Sequence, residues 1–313
     1  MVIPAHPTVL VLVGPTASGK TGVALLLAAA LGGEIVSADS RQVFRRLDIG
    51  TAKPTPAERA RIPHHMIDIR SPGEPFSAGS YGDEARDAVA EILRRGRLPI
   101  VAGGSGLYVR ALIDGLFEGP ASDGEFRARA EERIAEGEFP AMREELRRVD
   151  PDAASRIDPT KPRRIIRALE VYHSTGIPMS HLHDIPRPAP AFRALQYGLM
   201  WEREELYRRI NERCDAMIAA GLLDEVRSLA AGGWDESCNA LNSVGYKEAF
   251  AFLRGEIDRD EMLRLFRQNS RRYAKRQMTW FRRDSRIRWI PMGGRTLPEE
   301  AARGIGALFA QSA

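Results

Sequence analysis

Cysteine is nearly absent: among 313 residues only Cys214 and Cys238 occur. Two cysteines neither build a disulfide framework nor supply a four-ligand zinc site, so a stapled secreted scaffold and a structural zinc module are excluded. Both read as buried, inert thiols. Long hydrophobic runs are missing as well. Nothing approaches the roughly 20 apolar residues of a membrane helix, and Met1 to Val13 lacks the cationic start and apolar length of a secretory leader. The expectation is a cytoplasmic protein that meets no membrane. A large excess of one charge is also lacking, the net value being +4, while 43% apolar and 28% charged residues exclude disorder. At this length one large core with an insertion, or two domains, is expected.

What is present begins with Gly14-Pro15-Thr16-Ala17-Ser18-Gly19-Lys20-Thr21, directly after the apolar run Val9 to Val13. This is a phosphate-binding loop between a strand and a helix. Its glycines let the backbone curl until successive N–H groups point at one anion, and the following helix presents its positive end. Lys20 adds a point charge, and the Thr21 hydroxyl suits a Mg²⁺ shared with the phosphates. The expected ligand is a diphosphate.

Short apolar runs recur at Glu34 to Ala38, Leu98 to Ala102, Gln196 to Met200 and Ile287 to Ile290, with helical patterns such as Thr21 to Leu31 and Ala78 to Arg95 between them. Strands alternating with helices predict an α/β fold, a P-loop NTPase-like parallel sheet flanked by helices. Ligands bind at the carboxyl ends of such strands. The phosphate loop, Asp39-Ser40-Arg41-Gln42 and Gly103-Gly104-Ser105-Gly106 all stand there, and one shared cleft follows. Between Ser122 and Leu182 the sequence is charged and helix-forming without a convincing strand. It reads as a helical insertion, led into by the turn-rich Gly115 to Asp123 and left through Pro186-Arg187-Pro188-Ala189-Pro190. The division is 1–120 for the first part of the core, 121–190 for the insertion and 191–313 for the rest.

From Arg264 to Arg288 ten Lys and Arg stand against one acid, Asp284. Such a block is either a solvated helix face or a surface for a polyanion. Over 258–283 the helical period puts Arg264, Arg267, Arg271 and Lys275 on one face. Met262, Phe266, Tyr273 and Trp280 recur on another side, which the pattern assigns to the core. The neighbouring His64 and His65 lack further ligands, so a loop or core role is expected of them rather than a metal site.

A phosphate loop alone fits kinases, GTPases, ATPases and transferases. No Asn-Lys-x-Asp base-reading pattern is present, and Leu98 to Ala102 runs into Gly103-Gly104-Ser105 where a motor would place a magnesium-ordering Asp. The order of motifs resembles the tRNA dimethylallyltransferases, also called tRNA isopentenyltransferases. The resemblance runs from Gly14–Thr21 through Asp39–Phe44, Asp48–Pro54, His64–Asp68, Gly103–Tyr108 and Arg163–Glu170 to Gly245–Glu248 and Tyr273–Arg282. Ser105 stands where the family usually has Thr, which keeps the hydroxyl. No pattern of the zinc finger found in many eukaryotic members is seen, and a bacterial-type enzyme is expected.

The resemblance implies transfer of a dimethylallyl group from dimethylallyl diphosphate to the N6 amine of an adenosine beside the tRNA anticodon. In that chemistry the loop, Lys20 and Mg²⁺ at Thr21 would stabilise the diphosphate leaving group. An aromatic amine needs its proton taken, and Asp39 is the candidate base. The alternative reading of Asp39 is a helix cap or a water-mediated magnesium contact. Ser40, Arg41 and Gln42 would read base edges or phosphate. The resemblance also assigns to tRNA Ser105, Arg127, Arg163, Arg164, Arg167, Asn242, Gly245, Tyr246 and Lys247, together with Lys275, Arg276, Gln277, Thr279, Trp280 and Arg282. A monomer is expected. A transferase acting on free adenylate, a P-loop small-molecule kinase and a non-catalytic RNA-binding protein are the rival readings.

Overall fold

The computed structural model describes residues 7–116, 119–120, 123–185, 190–293 and 296–312, and of 183 and 184 the backbone alone. Two compact units emerge: Met1–Asp114 with Pro190–Ala313, and Gly115–Ala189. The sequence reading puts the insertion at 121–190. Residues 1–6 and 186–189, and 117–118 and 121–122 within the lead-in to the insertion, lie outside the described residues.

The first unit carries a parallel sheet of β1 (Thr8–Val13), β2 (Gly33–Ser37), β3 (His64–His65), β4 (Leu98–Gly103), β5 (Arg193–Trp201) and β6 (Arg288–Met292), in the order β3-β2-β4-β1-β5-β6. β1 lies inside it, Val13 registering with Gly103 on one side and Gly198 on the other. Its residues Val9 to Val13 are fully buried, as an unbroken run of β-branched and aliphatic side chains requires of a strand covered on both faces. The pleat sorts them. Val9, Val11 and Val13 join the core beneath Tyr81, Val89, Leu112, Ile210 and Phe266, while Leu10 and Leu12 join Val23, Leu27, Ile305 and Phe309.

The helices supplying these layers are α1 (Lys20–Leu31), α2 (Pro56–Arg61), α3 (Ala78–Arg94) and α4 (Gly106–Asp114) before the insertion. The insertion itself is five helices, α5 (Gly124–Ala135), α6 (Phe139–Val149), α7 (Pro151–Arg156), α8 (Pro162–Thr175) and α9 (Met179–Asp184). After it come α10 (Arg203–Ala219), α11 (Leu222–Ala231), α12 (Tyr246–Leu253), α13 (Arg259–Phe281) and α14 (Pro298–Ser312). The insertion has its own core of Ala130, Met142, Leu146, Ile165, Ile166 and Leu169. β3 has no apolar run to announce it. His65 takes its place by bonding through Nε2 to the buried Glu34 carboxylate at 2.7 Å, a structural pairing.

At the carboxyl edge of the sheet β2 and β4 draw close. A Cβ on Gly103 would lie 2.1 Å from the Ala38 carbonyl oxygen, so glycine here lets the two strand ends converge on one cleft.

Candidate active site

The phosphate loop turns out of β1 and into α1 through left-handed backbone at Ala17 (φ 61°) and Gly19 (φ 87°). For alanine that conformation costs about 1–2 kcal/mol and persists only where surroundings impose it. They do. Arg209 Nε donates to the Ala17 carbonyl at 3.0 Å, and the Trp201 indole donates to the Ser18 carbonyl at 3.0 Å. The Arg209 guanidinium also stacks on Trp201, 4.3 Å from the ring centroid. From within, Lys20 Nζ donates to the Pro15 carbonyl at 2.7 Å, and the Thr16 N–H donates to Gln277 Oε1 at 2.8 Å.

The loop forms one wall of a cavity of about 560 Å³, a size usual for a small-ligand site. Thr16, Lys20, Thr21, Asp39, Arg213 and Arg276 all line it. Five cationic side chains (Lys20, Arg41, Arg213, Lys247, Arg276) face it against two acids, Asp39 and Glu248. Glu248 is already engaged, accepting from the Gly245 N–H and from Asn269, each at 2.7 Å. Burial, and next the charge of Arg213, pushes the Lys20 ammonium down to about 7 against the opposing pull of Asp39. Burial likewise works against the Arg213 and Arg41 charges, which Asp39 partly offsets. The cleft therefore holds cations that lack enough counter-charge, and a polyanion would supply it.

Asp39 Oδ1 accepts the backbone N–H groups of Arg41 at 2.9 Å and Gln42 at 3.4 Å, which closes a local turn, since no helix follows for it to cap. Its Oδ2 and the Thr21 hydroxyl have no hydrogen-bond partner among the described residues. Among those residues, no group of three or more His, Cys, Asp and Glu is arranged for a metal. The Thr21 hydroxyl, a hard oxygen donor at the end of the phosphate loop, fits magnesium, which keeps most of its shell for water and phosphate oxygens.

The opposite wall is held by Glu225, a residue that sequence reasoning missed. Glu225 of α11 accepts the N–H groups of Asp48, Ile49 and Gly50 at 2.9, 2.6 and 3.1 Å, and the Tyr246 hydroxyl at 2.6 Å. This fixes Gly50, Thr51 and Tyr246 against the cavity. Gln42 is turned inward: its Oε1 accepts from Ser37 at 3.0 Å and its Nε2 donates to the Thr51 and Ala52 carbonyls, each at 3.3 Å. Asn242 and Lys247, both exposed, and Ser40 and Arg41 remain at the cleft.

Helix α13 buries Met262 and Phe266 as expected and departs from the expected arrangement toward its C-terminal end. Its Phe266, Asn269, Ser270, Tyr273, Arg276 and Gln277 line the cavity. The expected cationic face is largely paired: Arg264 with Glu261, Arg267 with Asp215, and Arg271 Nη1 with Asn211 at 2.7 Å. Asp215 and Asn211 lie on α10, a partner that helical periodicity cannot name. Lys275 and Arg282 are exposed, as is Thr279, whose hydroxyl bonds back to the Lys275 carbonyl. Trp280 is not a core anchor but 38% exposed. From Met262 and Phe266 the buried stripe continues through Ser270, Ala274, Gln277 and Phe281. Trp280 stacks so close to Gly106 that a Cβ there would meet its ring at 2.0 Å.

Ser105 is half-buried at the start of α4, its N–H bonded to the Ala38 carbonyl. In the insertion, Arg163 and Arg164 are exposed in the first turn of α8. Arg127 grips the fully buried Glu170 with two bonds of 2.9 and 3.0 Å, and Arg167 adds a third at 2.6 Å. The buried carboxylate thus ties α5 to α8.

Arg213, Arg209, Trp201 and Glu225 belong to no contiguous motif. No local signal marks them, because each meets the loop or the cleft wall only through the crossovers of the sheet.

The family model described as IPP transferase matches residues 42–284. The chain is 50% identical over 288 residues, 92% of its length and 93% of the relative's, to tRNA dimethylallyltransferase 1 of Pelobacter propionicus. Among solved structures it is similar to the full-length tRNA isopentenylpyrophosphate transferase of Bacillus halodurans, with 39% identity, 98% and 96% of the two chains covered and a TM-score of 0.73. It is also similar to a eukaryotic dimethylallyltransferase acting on tRNA, at 26% identity, 91% and 74% coverage and a TM-score of 0.78. A parallel sheet with a phosphate loop at its carboxyl edge, matched along nearly its whole length by these enzymes, places the chain in the IPP transferase family, the family of the tRNA dimethylallyltransferases.

Proposed function

We propose that this protein transfers a dimethylallyl group from dimethylallyl diphosphate to the N6 amine of an adenosine adjacent to the anticodon of tRNA, releasing diphosphate. The observation that carries the reading is the under-neutralised pair Lys20 and Arg213, which face the phosphate loop with Asp39 as their free counter-charge. The loop N–H groups, Lys20 and Arg213 would hold the diphosphate and stabilise the charge that grows on it as the allylic C–O bond breaks. The adenine N6 forms the new C–N bond and loses a proton, which the unpartnered Asp39 Oδ2 is placed to accept. Magnesium bound at the Thr21 hydroxyl would neutralise further charge on the diphosphate oxygens. Ser40, Arg41, Asn242, Lys247 and Arg276 surround the remaining volume with donors and cations suited to an extruded nucleotide.

No helix among the described residues is long and apolar enough to cross a membrane. Action as a monomer on cytoplasmic tRNA belongs to the same proposal. The test supplies labelled dimethylallyl diphosphate with unmodified tRNA or with AMP. Label in tRNA alone is the expected result. Label in AMP alone moves the chain to the free-adenylate transferases, and ATP turnover without transfer moves it to the kinases.

A further inference from the structure

We propose that Gln277 is a positioning residue, through which α13 sets the phosphate loop, and that it makes no contact with tRNA. The proposal rests on the reading of the cleft given above. Both polar atoms of the side chain are engaged inside the protein. Oε1 accepts the Thr16 N–H and Nε2 donates to the Gly104 carbonyl, each at 2.8 Å, and the residue is 7% exposed. One neighbour can only donate and the other can only accept, so a primary amide is the group that satisfies both. A carboxylate would set an acceptor against the Gly104 carbonyl, and an aliphatic chain would leave a donor and an acceptor bare.

The surroundings are shaped for this contact. A Cβ on Gly104 would lie 2.3 Å from Gln277 Nε2, so the missing side chain at 104 makes room for the amide. On α13 the residue faces inward beside Ala274 and Phe281, whereas Lys275, Arg276 and Thr279 point outward. Arg209, Trp201 and Lys20 restrain the loop through the carbonyls of Ala17, Ser18 and Pro15. Gln277 restrains it through an N–H. Of these groups it alone belongs to α13. It removes the Thr16 N–H from the donors open to the diphosphate and fixes the direction of those that remain. The motif around it, Lys275 to Arg282, thus combines outward residues suited to RNA with one inward residue that serves the loop.

The test uses the full chain with Gln277→Met and Gln277→Glu. Inorganic diphosphate with Mg²⁺ and unmodified tRNA serve as separate binding probes, and amide hydrogen exchange is followed over residues 14–19 of the free protein. Gln277→Met should speed exchange in that segment and weaken diphosphate about tenfold, the loss expected for one buried hydrogen bond. It should raise KM for the prenyl diphosphate while KM and Kd for tRNA stay within about twofold, because the amide does not touch tRNA. Gln277→Glu should weaken diphosphate further through its charge. Should Gln277→Met fail to fold, Gly104→Ala displaces the same amide from the other side and should produce the same pattern. Weakened tRNA with unchanged exchange and diphosphate affinity overturns the proposal, and so does no change in any measurement. A wild-type protein that binds no diphosphate sinks the reading of the cleft, and the exchange rates still decide the role of Gln277.

Discussion

Replacing Lys20 by methionine should make the free protein relatively more stable in acid than in base while abolishing its activity. In the folded chain, burial and Arg213 lower the Lys20 pKa from 10.5 to about 7. One pKa unit corresponds to about 1.4 kcal/mol, so a fully dry site would carry a penalty of roughly 5 kcal/mol. Lys20 is half-buried at an open cleft, and solvent screening reduces this to about 1–2 kcal/mol. The unfolded chain binds the proton up to pH 10.5 and the folded one only up to about 7. The penalty is therefore complete below pH 7 and is relieved as pH climbs toward 10.5. Methionine removes the charge. Loss of the bond to the Pro15 carbonyl costs about the same at every pH, whereas the relief of desolvation appears only where lysine would be protonated. Melting of both proteins between pH 6 and pH 10 should show the variant gaining about 1–2 kcal/mol on wild type toward acid, or some 2–8 °C in Tm for a protein of this size. Inorganic diphosphate should raise the Tm of wild type and not of Lys20→Met. Its affinity for wild type should fall up to about tenfold per pH unit above 7, since binding then requires proton uptake. A difference in stability between the two proteins that stays flat across this range would refute the reasoning.

Asp39→Asn keeps the turn that Oδ1 caps and removes the proton acceptor. Single-turnover transfer should fall about a hundredfold or more with tRNA affinity little altered. Glu225→Ala strips four donors of one acceptor, and urea unfolding should show a loss of about 3 kcal/mol or more; a loss under 1 kcal/mol would mean that water replaces the carboxylate. Lys275→Glu with Arg276→Glu should weaken tRNA and reduce the slope of log affinity against log salt by about 1.4, at roughly 0.7 for each phosphate that is no longer neutralised. Arg264→Glu with Arg267→Glu, on the face already paired to Glu261 and Asp215, should leave that slope unchanged, and filter binding over a salt series separates the two pairs.

The central strand was legible because Val9 to Val13 are buried on both faces and hence apolar throughout. β3 was not, since a two-residue strand at a sheet edge is held by one backbone ladder and the His65 to Glu34 bond. Within the site, the loop, Thr21 and Asp39 could be read because contiguous backbone must curl around an anion. Arg213 could not. Its place beside Lys20 depends on how α10 crosses the sheet, which leaves no trace in local spacing. The basic stretch of α13 and its buried Met262 and Phe266 were legible, but not the pairing of its cationic face: periodicity tells which residues share a face, while α10, with Asn211 and Asp215, decides what that face meets. The exposed Trp280 has the same cause, as one position along the helix, Phe281, takes the buried place.

The strand order also governs how the molecule comes off the ribosome. β4 can pair with β1 once residue 103 is made, but the other neighbour of β1, strand β5, begins at Arg193, beyond the whole insertion. At about 5–20 residues per second, the most apolar strand keeps one edge open for several seconds while six helices, α4 to α9, are synthesised. Such an edge invites pairing with other chains. The insertion, with a core of its own, is able to fold during that interval. Trp201 and Arg209 emerge next and Gln277 later still. A nascent chain that stops short of them has a phosphate loop in sequence but not in shape, so binding of diphosphate by ribosome-released fragments would report how far synthesis has gone.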